Sequence, residues 1–148
     1  MKPLLFPALV VGLLFAADDA KNDAVKKELR RLEGNYTIAS AEANGTQVQQ
    51  QVLEQFKLKI DGAKWSVSTN QGKIEATIEI DPTKTPKTID FTYTEGQQKG
   101  QSTRGIYSLE RDELKLCRTA AADKERPTEF STQPESGFLL VVWKKAKP

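Results

Sequence analysis

The stretch FKLKIDGAKWSVSTNQGKIEATIEI, residues 56–80, decides the fold of this chain. Apolar and polar side chains alternate through it in three runs, as they do in strands that bury one face. Asp61-Gly62 separates the first run from the second, and the turn sequence at 70–72 separates the second from the third. The stretch therefore predicts three consecutive antiparallel strands joined by tight turns.

The same alternation continues on both sides of this stretch. One strand precedes it, starting after Gly34, and four follow it, the last being the apolar run from Phe138 to Trp143. Pro82 and Pro86 keep the connection after the third run out of any strand. We predict an all-β domain of eight strands. Short sequential turns favour an up-and-down barrel, and a two-sheet sandwich is the alternative.

A short amphipathic helix is predicted before the first strand. Val25, Leu29 and Leu32 fall on one helical face, and Gly34 ends the helix. The other faces carry basic side chains, which we interpret as solvent-exposed: Lys26, Lys27, Arg30 and Arg31.

Residues 1–20 have the pattern of a secretory signal peptide. Lys2 supplies the positive charge, and the apolar run from Leu4 to Phe15 is shorter than the roughly 20 residues of a membrane-spanning helix. An uncleaved membrane anchor is the alternative. We expect residues 21–148 to form one mature domain, exported to the periplasm or secreted, without a stable membrane anchor after cleavage.

The composition argues against most catalytic classes. The chain of 148 residues has no histidine and a single cysteine, Cys117. The commonest general base and zinc ligand is therefore missing, and no cofactor motif is present. The net charge of +2 comes from interleaved charges, so no nucleic-acid partner is expected. We predict a non-enzymatic domain without metal or cofactor, in which Cys117 is a small buried side chain.

An ordered set of short segments covers nearly the whole predicted mature chain. They are Glu33-Gly34-Asn35-Tyr36, Asp81-Pro82-Thr83-Lys84, Pro86-Lys87, Ile89-Asp90, Gly105-Ile106-Tyr107, Leu114-Lys115-Leu116-Cys117, Arg126-Pro127-Thr128-Glu129-Phe130 and Ser136-Gly137. This order resembles a family of small, mostly exported, uncharacterised lipocalin-like domains that is expanded in planctomycete bacteria. The resemblance implies an eight-stranded calycin-type barrel, but no activity. Lipocalins have Gly-x-Trp on the first strand, where this chain has Gly34 and Tyr36.

The aromatic side chains on the predicted inward faces are candidate ligand-binding residues. They are Tyr36, Phe56, Trp65, Phe91, Tyr93 and Tyr107. An eight-stranded barrel can hold one small molecule, or its own side chains can fill it. The sequence leaves both arrangements open. The first arrangement predicts a binding module for a small apolar or amphipathic ligand.

The segment from Ala120 to Gly137 is the longest predicted loop. Arg126, Glu129 and Phe130 are candidate residues for contacting an extracytoplasmic protein partner at one barrel end. The alternative function is therefore a protein-interaction or inhibitor domain. The same residues have a purely structural interpretation, in which an ion pair forms and Phe130 lies under the barrel end.

Overall fold

The computed structural model describes the backbone of residues 9–147 and the side chains of residues 19–147. The elements in chain order are α1 (Leu9–Leu32), β1 (Gly34–Ala43), β2 (Thr46–Gln47), α2 (Gln50–Leu53), β3 (Lys57–Asp61), β4 (Lys64–Thr69), β5 (Gly72–Asp81), β6 (Lys87–Tyr93), β7 (Ser102–Glu110), β8 (Glu113–Thr119) and β9 (Phe138–Lys145). Of the predicted signal peptide, residues 1–8 lie outside the described chain, and residues 9–20 belong to α1. Within the described part, no helix is both long and apolar enough to cross a membrane.

The strands form a closed antiparallel barrel. Eight of them, β1 and β3 to β9, pair in chain order, and β9 also pairs with β1, which closes the cylinder. The predicted eight-stranded up-and-down barrel is thus confirmed. The two-residue strand β2 was not predicted. It pairs only with the end of β1, across a turn in which Asn44 and Gly45 both have positive φ, as a two-residue hairpin turn requires.

Helix α1 covers one end of the barrel, here called the sealed end. Leu32 is buried, and Val25 and Leu29 pack against the core, as their spacing predicted. The Tyr36 hydroxyl donates a hydrogen bond to the Leu32 carbonyl at 2.6 Å, and Lys145 Nζ donates to the last turn of the helix at 2.9 Å. Leu32, Tyr36 and Tyr107 are fully buried in the core at the sealed end.

The opposite end, here called the open end, is formed by different elements. It contains α2, the β4–β5 turn, the β6–β7 connection and the loop of residues 120–137. Helix α2 has four residues and no side-chain hydrogen bond at its N-cap, so it is held to the barrel mainly by the buried Leu53. This end of the barrel is not filled.

Strands β7 and β8 approach each other closely at Gly105. A Cβ there would come within 2.7 Å of the Cys117 carbonyl oxygen and 2.8 Å of Arg118 Cβ, so only glycine fits. On the outer face beside this contact, Ile106 and Cys117 are paired across the strands and both are buried. They belong to a small apolar cluster outside the barrel, which the loop of residues 120–137 covers.

Candidate functional site

A cavity of about 220 Å³ lies inside the open end of the barrel. Its walls come from β1, β4, β5, β6, β8 and β9, and α2 closes part of its top. Four of the predicted ligand-binding aromatics line it: Phe56, Trp65, Phe91 and Tyr93. The interior is therefore hollow at the open end, whereas buried core residues such as Tyr36 and Tyr107 lie at the sealed end.

The mouth of the cavity is mainly apolar, with Gln98 as an exposed polar residue among those that line it. Val52 on α2 and Ile74 on β5 line it with 43% and 44% of their surface exposed, and they are the only exposed large hydrophobic residues in the described chain. Leu53, next to Val52, turns into the barrel and is only 3% exposed. Exposed apolar side chains that border an apolar cavity are typical of a ligand entrance.

Aromatic rings form the deep part of the cavity. The Trp65 ring meets the Phe91 ring edge-on, with centroids 4.9 Å apart and an interplanar angle of 81°. Trp65 and Trp143 make a second edge-on pair at 6.3 Å. These edge-to-face pairs are favourable and hold the three rings in fixed orientations, so the cavity is preformed.

Arg118 is the only charged side chain that lines the cavity. Its Nη1 donates to the Tyr93 hydroxyl at 3.0 Å and to the Thr119 carbonyl at 3.3 Å, and the guanidinium lies 5.6 Å from the centre of the Phe91 ring. No carboxylate among the described residues forms an ion pair with it. The cavity thus combines apolar walls with one unneutralised positive charge.

Sequence reasoning missed Arg118 as a site residue. The sequence did contain a signal, because Arg118 is two residues after Leu116 and four after Leu114 on β8, which places it on the same face as these inward side chains. In an alternating strand, an arginine in register with buried leucines lies on the interior face.

Tyr36 and Tyr107, the two other predicted ligand-binding residues, do not line the cavity. They lie at the sealed end, where burial raises the pKa of Tyr36 to about 12. Burial and the nearby Glu28 carboxylate also raise the pKa of Tyr107. Both hydroxyls are used to attach α1, since Tyr36 donates to Leu32 and Tyr107 donates to Glu28 at 3.1 Å.

Glu28 is a buried carboxylate on the barrel-facing side of α1. Besides the Tyr107 hydroxyl, it accepts hydrogen bonds from Lys87 Nζ at 2.7 Å and Arg31 Nη1 at 2.6 Å. Burial raises its pKa, but the hydrogen bonds and charges of Lys87 and Arg31 outweigh burial and lower it overall. The helical spacing of apolar residues could not indicate this charged group, which connects α1 to β6 and β7.

The predicted partner-binding residues do not form one surface. Arg126 turns toward the barrel wall, where its Nη1 donates to Asp90 Oδ1 at 2.7 Å and to the Gly105 carbonyl at 2.8 Å. Phe130 is half-buried, with Lys115 Nζ 5.7 Å from its ring centre, and Glu129 is exposed. The ion pair of Arg126 is therefore with β6, and it fastens the loop to the barrel.

The chain matches no protein-family model, no curated protein and no solved structure. No group of three or more histidine, cysteine, aspartate or glutamate side chains is arranged to hold a metal in the part of the chain that is described. The functional proposal therefore rests on the cavity and on the side chains that line it.

Cys117 is expected to react slowly with iodoacetamide in the folded protein. Its side chain has no exposed surface, its Sγ donates to the Ser131 carbonyl at 3.6 Å, and burial raises the pKa of the thiol. The burial of the side chain and the raised pKa of the thiol both reduce the amount of accessible thiolate. Alkylation at pH 7 should therefore be at least about a hundredfold slower in the folded protein than in denaturant. Equal rates in the two conditions would show that the loop of residues 120–137 does not cover Cys117.

Proposed function

We propose that this chain is an exported, non-enzymatic binding module that holds a small apolar or amphipathic ligand in the open end of its barrel. The observation that carries the proposal is the hollow interior beside an apolar mouth, with Val52 and Ile74 exposed at the rim. A folded domain keeps such a cavity at a cost in packing, and ligand binding offsets that cost.

The chemistry of the cavity supports binding rather than catalysis. Its only charged group is the guanidinium of Arg118, which donates hydrogen bonds but accepts none and so is unsuited to act as a general base. Tyr93 is the only other lining side chain with a hydroxyl group, and that hydroxyl accepts a hydrogen bond from Arg118. The alternative function through the loop of residues 120–137 is less well supported, because Pro127 is buried and Phe130 half-buried against the barrel.

Native mass spectrometry of the protein purified without detergent from its own host tests the proposal. We expect excess mass that is lost on denaturation and recovered as a small molecule in an organic extract. A bare mass, together with no affinity for an added apolar probe such as 1-octanol, would contradict the proposal. The N-terminal residue of the same sample tests export, since cleavage should follow Ala16, Ala17 or Ala20.

Filling the cavity is expected to weaken binding of 1-octanol by at least about tenfold in the variant Ala41→Leu. Ala41 is buried on β1 and lines the cavity, so the added atoms occupy ligand space. The two tryptophans of the chain, Trp65 and Trp143, both line the cavity, so intrinsic fluorescence reports binding directly. The matched control is Ala39→Leu on the exposed face of the same strand, which should bind as the wild type does. Unchanged binding by Ala41→Leu would place the ligand elsewhere.

A further inference from the structure

We infer that the ligand is a small amphipathic anion, a monocarboxylate whose head group is bound by Arg118 and Tyr93 and whose chain lies among the aromatic rings. This inference rests on the proposed function, and it specifies the chemical class of the ligand. The observations behind it are the hydrogen-bond geometry of Arg118, the missing counter-charge and the size of the cavity.

Arg118 and Tyr93 have hydrogen-bond donors that no described residue accepts from. Of the guanidinium nitrogens, Nη1 alone makes hydrogen bonds to described residues, which leaves Nη2 and Nε available. Tyr93 accepts from Arg118, and its own proton has no acceptor among the described residues. A planar guanidinium with two free donor groups matches the two oxygens of a carboxylate, and the Tyr93 hydroxyl adds a further donor beside it.

The charge balance also points to an anion. A guanidinium in apolar surroundings is costly unless an opposite charge or hydrogen bonds compensate it. The face of Phe91 and the Tyr93 hydroxyl supply part of this compensation, but neither carries a negative charge. Two other partly buried cations have carboxylate partners, Lys87 with Glu28 and Arg126 with Asp90. Arg118, like the partly buried Lys115 and Lys145, has none among the described residues, but of these three only Arg118 lines the cavity, where a ligand carboxylate would lie next to it.

The cavity volume limits the ligand. An apolar cavity of about 150 Å³ accepts benzene, so 220 Å³ holds on the order of nine non-hydrogen atoms. A saturated monocarboxylate of about seven or eight carbons, which has about nine or ten non-hydrogen atoms, therefore fits with its head group at Arg118. A longer chain would exceed the volume of the cavity.

The decisive experiment compares octanoate with 1-octanol, which differ only at the head group, by tryptophan fluorescence titration of the full folded domain. We expect the wild type to bind octanoate at least about tenfold more tightly than 1-octanol, because a charge-assisted pair is available only to the acid. In Arg118→Gln the preference should disappear, while the affinity for 1-octanol stays within about threefold of the wild type. Tyr93→Phe should lose a smaller part of the preference.

Two further variants serve as a control and as a replacement. Arg104→Gln removes an exposed arginine from β7, outside the cavity, and should leave the preference unchanged. If circular dichroism shows that Arg118→Gln is unfolded, Arg118→Lys replaces it; this variant keeps the charge but loses the planar fork, so we expect a reduced preference.

The outcomes separate the two proposals. Equal affinity of the wild type for octanoate and 1-octanol, or an undiminished preference for octanoate in a folded Arg118 variant, would overturn the anion inference and leave the binding module standing. Failure of both compounds to bind would overturn the binding proposal itself.

Discussion

Replacing Trp65 by alanine is expected to lower the free energy of unfolding by roughly 3–5 kcal/mol, the range for removing a large aromatic side chain from a core. Trp65 is 6% exposed and makes edge-on contacts with Phe91 and Trp143. Its removal would enlarge a cavity that already exists and would leave both partner rings without support. Urea unfolding followed by circular dichroism measures the change.

Ile74→Ala is the matched control for this variant. Ile74 lines the same cavity at its rim, and 44% of its surface is exposed, so its truncation should cost less than about 1 kcal/mol. If Trp65→Ala cost no more than Ile74→Ala, Trp65 would not belong to the structural core.

Replacing Glu28 by glutamine is expected to lower the free energy of unfolding by about 2 kcal/mol at pH 7. The change leaves Lys87 and Arg31 without their anionic partner next to the barrel. The loss is smaller than the roughly 3–5 kcal/mol of a fully buried pair, because solvent still reaches part of both cations. We also expect faster hydrogen exchange in α1, since Glu28 accepts two of the hydrogen bonds that attach the helix to the barrel, from Lys87 and from Tyr107.

The stabilisation that Glu28 provides should decrease as the pH is lowered. The pKa of Glu28 is lower in the folded protein than its ordinary value of 4.5, so the stabilisation is complete above about pH 5 and is lost as the pH falls through the lowered pKa. The difference in the free energy of unfolding between wild type and Glu28→Gln should shrink over that acidic range.

Glu75→Gln is the control for Glu28→Gln. The partners of Glu75, Lys64 and Lys73, are largely exposed, so this variant should not change the free energy of unfolding measurably at pH 7. A difference between wild type and Glu28→Gln that does not decrease as the pH falls below 4.5 would contradict the role of the charge.

The alternation of apolar and polar side chains along the sequence was sufficient to predict the barrel. Asp61-Gly62 and the turn at 70–72 mark the β3–β4 and β4–β5 hairpins where the structure has them. The eight strands follow because a period of two and short turns leave few other arrangements. Strand β2 was missed because a two-residue strand carries no detectable period.

Alternation could not give the height of a side chain along the barrel axis. Tyr36 and Trp65 both alternate inward, yet Tyr36 lies under α1 and Trp65 borders the cavity. Height depends on strand register and on the bulge in β1 between Ile38 and Ser40, which are set by pairing between distant segments. For the same reason the sequence could not show that the interior is hollow at one end only.

The seam between β1 and β9 joins the first and last strands of the barrel. While the polypeptide is being made on a ribosome, β1 has no β9 to pair with, and the sheet has two open edges. Such edges attract other chains, and contacts between distant segments form slowly. Closure therefore has to wait until residues up to Lys145 have emerged from the ribosome. A chain that ended before Phe138 would keep both edges open and would be prone to aggregation.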